Sequence, residues 1–142
     1  MSGPARLAPG FVSGEPRLVL RLESLAVLAI AVLMYRQFGG GWGLFALCFL
    51  LPDLSMLGYL AGPRVGSALY NAAHSYVGPA ILWLATRSLN SSWGIYAVLI
   101  WASHIAFDRL VGYGLKYPTQ FGDTHLGAIG RRRAPGTETP AG

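Results

Sequence analysis

The chain has 142 residues, 53% of them hydrophobic and only 12% charged, with a formal net charge of +5. An ordinary soluble domain carries about 25% charged residues, so this composition, with a mean hydropathy of +0.44, points to a membrane protein and away from a soluble core of the same length. The basic residues are spread along the chain and mostly flank apolar runs, so they read as topology signals and not as a nucleic-acid footprint. The one basic cluster, Arg131-Arg132-Arg133, reads as part of a solvated tail within reach of anionic headgroups. The single cysteine, Cys48, sits in an apolar run, where it packs as a small side chain. Alone, it excludes a disulfide framework or a cysteine-based zinc motif within one chain.

Residues 1–16 are rich in Gly, Pro and Ser, lack helical periodicity and read as a disordered N-terminal arm. The first apolar segment runs from about Leu18 to Tyr35, with Arg21 and Glu23 near its start. A long arm in front and no clear cleavage site favour a retained membrane helix over a signal peptide. The second segment, Trp42 to Leu60, carries Pro52 and Asp53 in its middle, and the proline predicts a kink or a break there. The third, about Gly66 to Thr86, is small and polar in its first half, with Tyr70, Asn71 and His74 on one helical face and Pro79 beyond them. The fourth, Trp93 to Gly112, holds His104 and Asp108 four residues apart, so that both project from one face. After it, YGLKYPTQFGDTHLG is too polar to span and too varied to be a tail, and it predicts an ordered hairpin or cap against the bundle end. The remainder, 128–142, reads as a disordered basic tail, which leaves 17–127 as one membrane domain.

Four crossings put both ends of this domain on one side. Arg6, Arg17, Arg64, Lys116 and the three terminal arginines fall on that side, against Arg36 and Arg87 on the other. The bias predicts cytoplasmic termini in an inner, cytoplasmic membrane. The expected fold is all-α: a four-helix transmembrane bundle, up-down-up-down, packed through small residues.

That topology predicts a polar layer. Measured from the cytoplasmic end of each helix, Glu23, Asp53, His74, His104 and Asp108 all lie about four to eight residues in, roughly 6 to 12 Å at the helical rise. Asp123 and His125 follow the fourth segment and are placed to fold back over the layer. Ionisable side chains at membrane depth are costly and are therefore functional candidates. Three readings compete. The layer is a hydrogen-bond network fixing helix register, completed by Tyr70 and Asn71. Or it is a site for a divalent metal (Zn, Mn or Fe), with Asp53, His74, His104 and Asp108 as ligands and Glu23, Tyr70, Asn71 and Asp123 in support. Or it relays protons. In the metal reading His125 is a lid ligand or acid/base, and Arg109 and Lys116 receive an anionic group. The other role open to those two cations is to snorkel to the headgroups.

Pro52-Asp53, Tyr70-Asn71 with His74, His104 with Asp108-Arg109, Gly112-Tyr113-Gly114-Leu115-Lys116-Tyr117 and Thr124-His125-Leu126-Gly127 together resemble the family of small bacterial membrane proteins called domain of unknown function 4260, over about Leu18 to Gly127. The resemblance implies a multi-pass inner-membrane protein, in a family with no established activity. More distantly, the intramembrane His and Asp are similar to those of membrane-bound metal-dependent hydrolases. The expectation is a membrane protein partnered by the lipid bilayer, with no nucleic acid. Its buried His/carboxylate site, if catalytic, hydrolyses a lipid or amphipathic, anionic substrate by metal assistance. The alternative is a non-catalytic scaffold or small transporter subunit in which the layer is structural or relays protons.

Overall fold

The computed structural model describes residue 10 and residues 12–129. Most of the N-terminal arm and nearly all of the basic tail, Arg131 to Arg133 included, lie outside the described residues. The described chain is mostly helical, with one small hairpin after its last helix. Its elements are α1 (Gly14–Gln37), α2 (Trp42–Phe49), a 3-10 helix (Leu51–Ala61), α3 (Pro63–Ala73), α4 (Val77–Leu89), α5 (Ser92–Val111), β1 (Asp123–Thr124) and β2 (Gly127–Ala128). Helix α1 starts at Gly14, inside the stretch the sequence assigns to the arm.

Three stretches, 14–37, 42–61 and 92–111, are long and apolar enough to cross a membrane. Their outward side chains are the wrong kind for water. Leu33, Leu47 and Leu60 are 64%, 77% and 88% exposed, and apolar surface of this extent marks contact with lipid or another apolar partner.

The 3-10 helix has a legible cause. Leu51, Leu54, Leu57 and Leu60 recur every third residue, and at three residues per turn they stack into one straight exposed ridge. The same period puts Asp53, Met56 and Tyr59 on an inner ridge. The third ridge carries Gly58, which meets α3 at Gly66: a Cβ on Gly58 would come within 3.3 Å of the Gly66 Cα, and one on Gly66 would strike the Tyr59 ring. Close backbone approach through small residues is the usual way helices pack in lipid. The next glycine of the Gly58-x-x-x-Gly62 pair makes the turn into α3, at φ +109°.

The third predicted segment is two helices, not one. Pro79 was expected to be absorbed within a continuous span; instead α3 ends at Ala73 and α4 begins at Val77. The reason is steric. A proline removes its own N–H and clashes with the carbonyl four residues back, here Ser75. The chain therefore leaves helical geometry at His74–Tyr76 and restarts with Pro79 in the first turn of α4, where its missing donor costs nothing. Pro52 and Pro63 likewise sit in first turns.

Helix α1 lies antiparallel along α5. Ser24, Ala31 and Tyr35 form its narrow buried stripe against Leu99, Ile100, Ser103 and Ala106. Two side-chain bonds fix the register: Arg21 Nε donates to the Leu110 carbonyl at 2.6 Å, and Tyr96 Oη donates to the Phe38 carbonyl at 2.9 Å. Tyr35, fully buried, stacks edge-on with Phe45 and Tyr96 and donates to the Gly41 carbonyl at 2.7 Å.

Residues 113–129 fold back at the opposite end, beside the start of α1 and the end of α5, where Val12 N–H donates to the His125 carbonyl at 2.8 Å. Strands β1 and β2 pair antiparallel, with Asp123 opposite Ala128 and Thr124 opposite Gly127. The Asn71 side chain holds the preceding loop to α3, donating to the Lys116 carbonyl at 2.8 Å and accepting its N–H at 2.7 Å.

Candidate metal centre

The helix break is what builds the site. A chain leaving helical geometry orphans its last carbonyls, and where these are buried they need partners. Side chains of α5 supply them. Trp101 Nε1 donates to the Ala73 carbonyl at 2.6 Å, and an Arg109 Nη donates to the His74 carbonyl at 3.2 Å. The C-terminus of α3 is thereby tied to α5, with His74 facing His104.

Four side chains converge: Asp53 from the 3-10 helix, His74 from the α3 terminus, and His104 and Asp108 from α5. One ligand atom from each lies within 4.8 Å of the others. His74 Nε2 and His104 Nε2 are 3.1 Å apart. His74 Nε2 is 3.4 Å from an oxygen of Asp53 and 3.4 Å from one of Asp108. His104 Nε2 is 3.4 Å and 3.6 Å from the same two oxygens. Four ligands bonded tetrahedrally at about 2.0–2.1 Å have edges of about 3.3–3.4 Å. Five of the six separations lie within about 0.3 Å of that edge.

Proton counting leads the same way. His74 Nδ1 lies 2.9 Å from the Tyr70 carbonyl, a bond it makes only by donating, so a neutral His74 presents a bare Nε2 to the cluster. Two carboxylate oxygens and the second imidazole share that space. The Nδ1 of His104 is buried without a partner. If His104 carries its proton on Nε2, it satisfies one of the facing lone pairs. If it carries the proton on Nδ1, four acceptors face one another with no donor among them. With both carboxylates ionised and both imidazoles neutral, the constellation in either tautomer holds more negative and lone-pair density than its own protons neutralise, and either a cation or added protons would balance it. The residues around the four hold them in place. The carbonyl bond fixes the His74 ring, the Tyr70 ring stacks on it at 3.8 Å, and Tyr70 Oη donates to Asp108 at 3.3 Å. The edge of Phe49 packs on His104 at 5.2 Å. His74, His104 and Asp108 are buried, while the Asp53 side chain is 30% exposed and is the open member.

The other candidates are placed elsewhere. Glu23 shares the depth of Asp108, as the Arg21–Leu110 bond requires, but sits on another face. With Tyr76, Arg109, His125 and Leu126 it lines a separate cavity of about 150 Å³. His125 is pinned by backbone: its Nδ1 accepts the Leu115 N–H at 2.8 Å, and its own N–H donates to the Leu115 carbonyl at 3.0 Å. Burial, then the Arg109 charge, lowers its pKa from the ordinary imidazole value. Asp123 is taken up by the hairpin, where Thr119 Oγ1 donates to it at 2.6 Å. Lys116 is enclosed by the Tyr59, Tyr70 and Phe121 rings and donates to the Phe121 carbonyl at 2.9 Å. Burial lowers its pKa to about 8. The sequence reading did not foresee the carbonyl-capping roles of Trp101 and Arg109. The signal for them was Pro79, whose clash four residues back locates the carbonyls in need of partners.

Fold and cluster together define the class: a helical protein with membrane-length apolar stretches and a buried pair of His and pair of Asp able to hold a metal ion. The chain belongs to the family described as Domain of unknown function (DUF4260), whose model matches residues 17–129. No curated protein and no solved structure matches it.

Proposed function

We propose that this is a multi-pass protein of the cytoplasmic membrane whose Asp53, His74, His104 and Asp108 bind one divalent ion for hydrolysis of a lipid or amphipathic substrate. In this reading α3 and α4 together make the third of four crossings, and both termini are cytoplasmic, as the basic-residue bias favours. The observation that carries the reading is the set of five separations between 3.1 and 3.6 Å among the four side chains.

A bound ion would supply Lewis acidity toward a carbonyl or phosphoryl oxygen and make a water nucleophilic at neutral pH. Mn or Fe(II), which take more than four ligands, would keep positions for substrate. Zinc held by four protein ligands would be a closed, structural site unless one carboxylate yielded. Asp53 is the ligand best placed to yield or to act as base, because it alone is substantially exposed. His74 and His104 hold position through their packed rings. Arg109 and His125, which line the separate small cavity together with Glu23, would take an anionic group there; the enclosed Lys116 is left with a packing and charge-balancing role.

The test is reconstitution in phospholipid vesicles with Mn, Fe(II) or Zn, followed by mass spectrometry of released fatty acid or headgroup. Product that depends on the ion and disappears in Asp53→Asn is expected. Bound metal with no product under any of the three ions would overturn the hydrolytic half of the reading and leave a structural metal site.

A further inference from the structure

A cavity of about 460 Å³ adjoins the cluster. Its wall includes Pro52 next to Asp53, Ala73 next to His74, and Ile100 and Trp101 one turn before His104, and it runs to Tyr96 and Trp93 at the start of α5. Trp93 and His104 are eleven positions apart on one helix, which at the helical rise is about 16 Å. The wall is apolar, and three of its polar groups are already satisfied. Ser55 Oγ donates to the Pro52 carbonyl at 2.6 Å, Trp101 Nε1 to the Ala73 carbonyl at 2.6 Å, and Tyr96 Oη to the Phe38 carbonyl at 2.9 Å. These groups offer no donor to a polar guest, the Cys48 thiol is only a weak one, and the Trp93 indole lies at the exposed far end, so the interior favours hydrocarbon. At roughly 30 Å³ for a water-sized group, about the size of a methylene, the volume holds on the order of 15 such groups.

We propose that this cavity binds one long acyl chain of a membrane lipid, with the chain's polar end at Asp53 and its methyl end toward Trp93. The inference rests on the metal reading only for what waits at the polar end, and it names the substrate class of that site. It also accounts for why Asp53 is the open ligand: its neighbour Pro52 is wall.

The experiment uses the full chain in detergent micelles with a trace of palmitate carrying a mid-chain diazirine, with crosslinks mapped by mass spectrometry. Labelling of peptides containing Leu44, Cys48, Ser55 and Ile100 should fall at least fivefold under excess unlabelled palmitate. Labelling of the outer face of α1, at Leu22, Ile30 and Leu33, should not. Ala97→Phe, which fills the cavity, should suppress the first set alone. Cavity labelling that excess palmitate does not reduce would overturn the chain site, even if Ala97→Phe fails to fold. Metal content is measured on the same samples. Competed labelling in a metal-free protein defeats the metal reading alone; bound metal with uncompeted labelling defeats the chain site alone.

Discussion

His104→Leu separates a metal ligand from a structural network. Leucine fills much of the imidazole's volume against Phe49 and removes one ligand atom from the cluster. Without an ion, the carboxylates of Asp53 and Asp108, no more than 4.8 Å apart, repel by at least about 3 kcal/mol at an effective dielectric of 20, or take up a proton to escape. Metal at a thousandfold excess over its dissociation constant stabilises the fold by about 4 kcal/mol, a shift in unfolding temperature on the order of 10 °C. Losing one ligand, at a hundredfold in affinity, removes about 2.7 kcal/mol of binding and leaves about 1.4 kcal/mol of stabilisation at the same metal concentration. Thermal unfolding of detergent-solubilised protein, with metal and with chelator, reads both. Wild type should drop by on the order of 10 °C on chelation, and His104→Leu by about a third as much. A wild type indifferent to chelator, together with a His104→Leu destabilised in both conditions, would refute the reasoning and establish the histidines as interhelical hydrogen-bond partners.

Tyr70→Phe removes the hydroxyl that donates to Asp108 and keeps the ring on His74; metal affinity, titrated against a competing chelator, should weaken about 10- to 100-fold. Lys116 gives a pH signature. Its folded pKa of about 8 lies below its ordinary 10.5, so between those values the unfolded chain binds more protons and stability rises with pH. The groups facing it are the Tyr59, Tyr70 and Phe121 rings, with the Asp53 and Asp108 charges beyond. An unfolding midpoint that climbs from pH 8 to 10 in wild type, and does so less in Lys116→Met, is the expected result. Gly66→Ala drives a methyl into the Tyr59 ring and should cost about 1–3 kcal/mol in chemical unfolding, as overpacking does.

The convergence of Asp53, His74, His104 and Asp108 was legible in the sequence because depth along a helix follows from counting residues. The same count placed Glu23 at the right level but could not place it around the axis of α1, where a different face carries it away from the cluster. The hairpin after α5 was visible in its mixed composition. The destination of His125 was not, because it depends on a backbone pairing with Leu115 that no periodicity encodes. The split of the third segment was readable in principle from Pro79. The hydropathy of Gly66 to Thr86 argued for one span, and the proline's preference for a helix's first turn won. The leucines at every third position from Leu51 likewise carried the 3-10 geometry, in a run whose apolar character alone suggested an ordinary membrane helix.

The central claim is a metal ion held by Asp53, His74, His104 and Asp108, and elemental analysis of the purified, detergent-solubilised protein tests it most directly. About one transition-metal ion per chain in wild type, lost in His74→Ala while the helical content stays, is the predicted result. Less than about a tenth of an ion per chain after growth in metal-supplemented medium would contradict it, since several deprotonated ligands in one buried site should retain their ion through gentle purification.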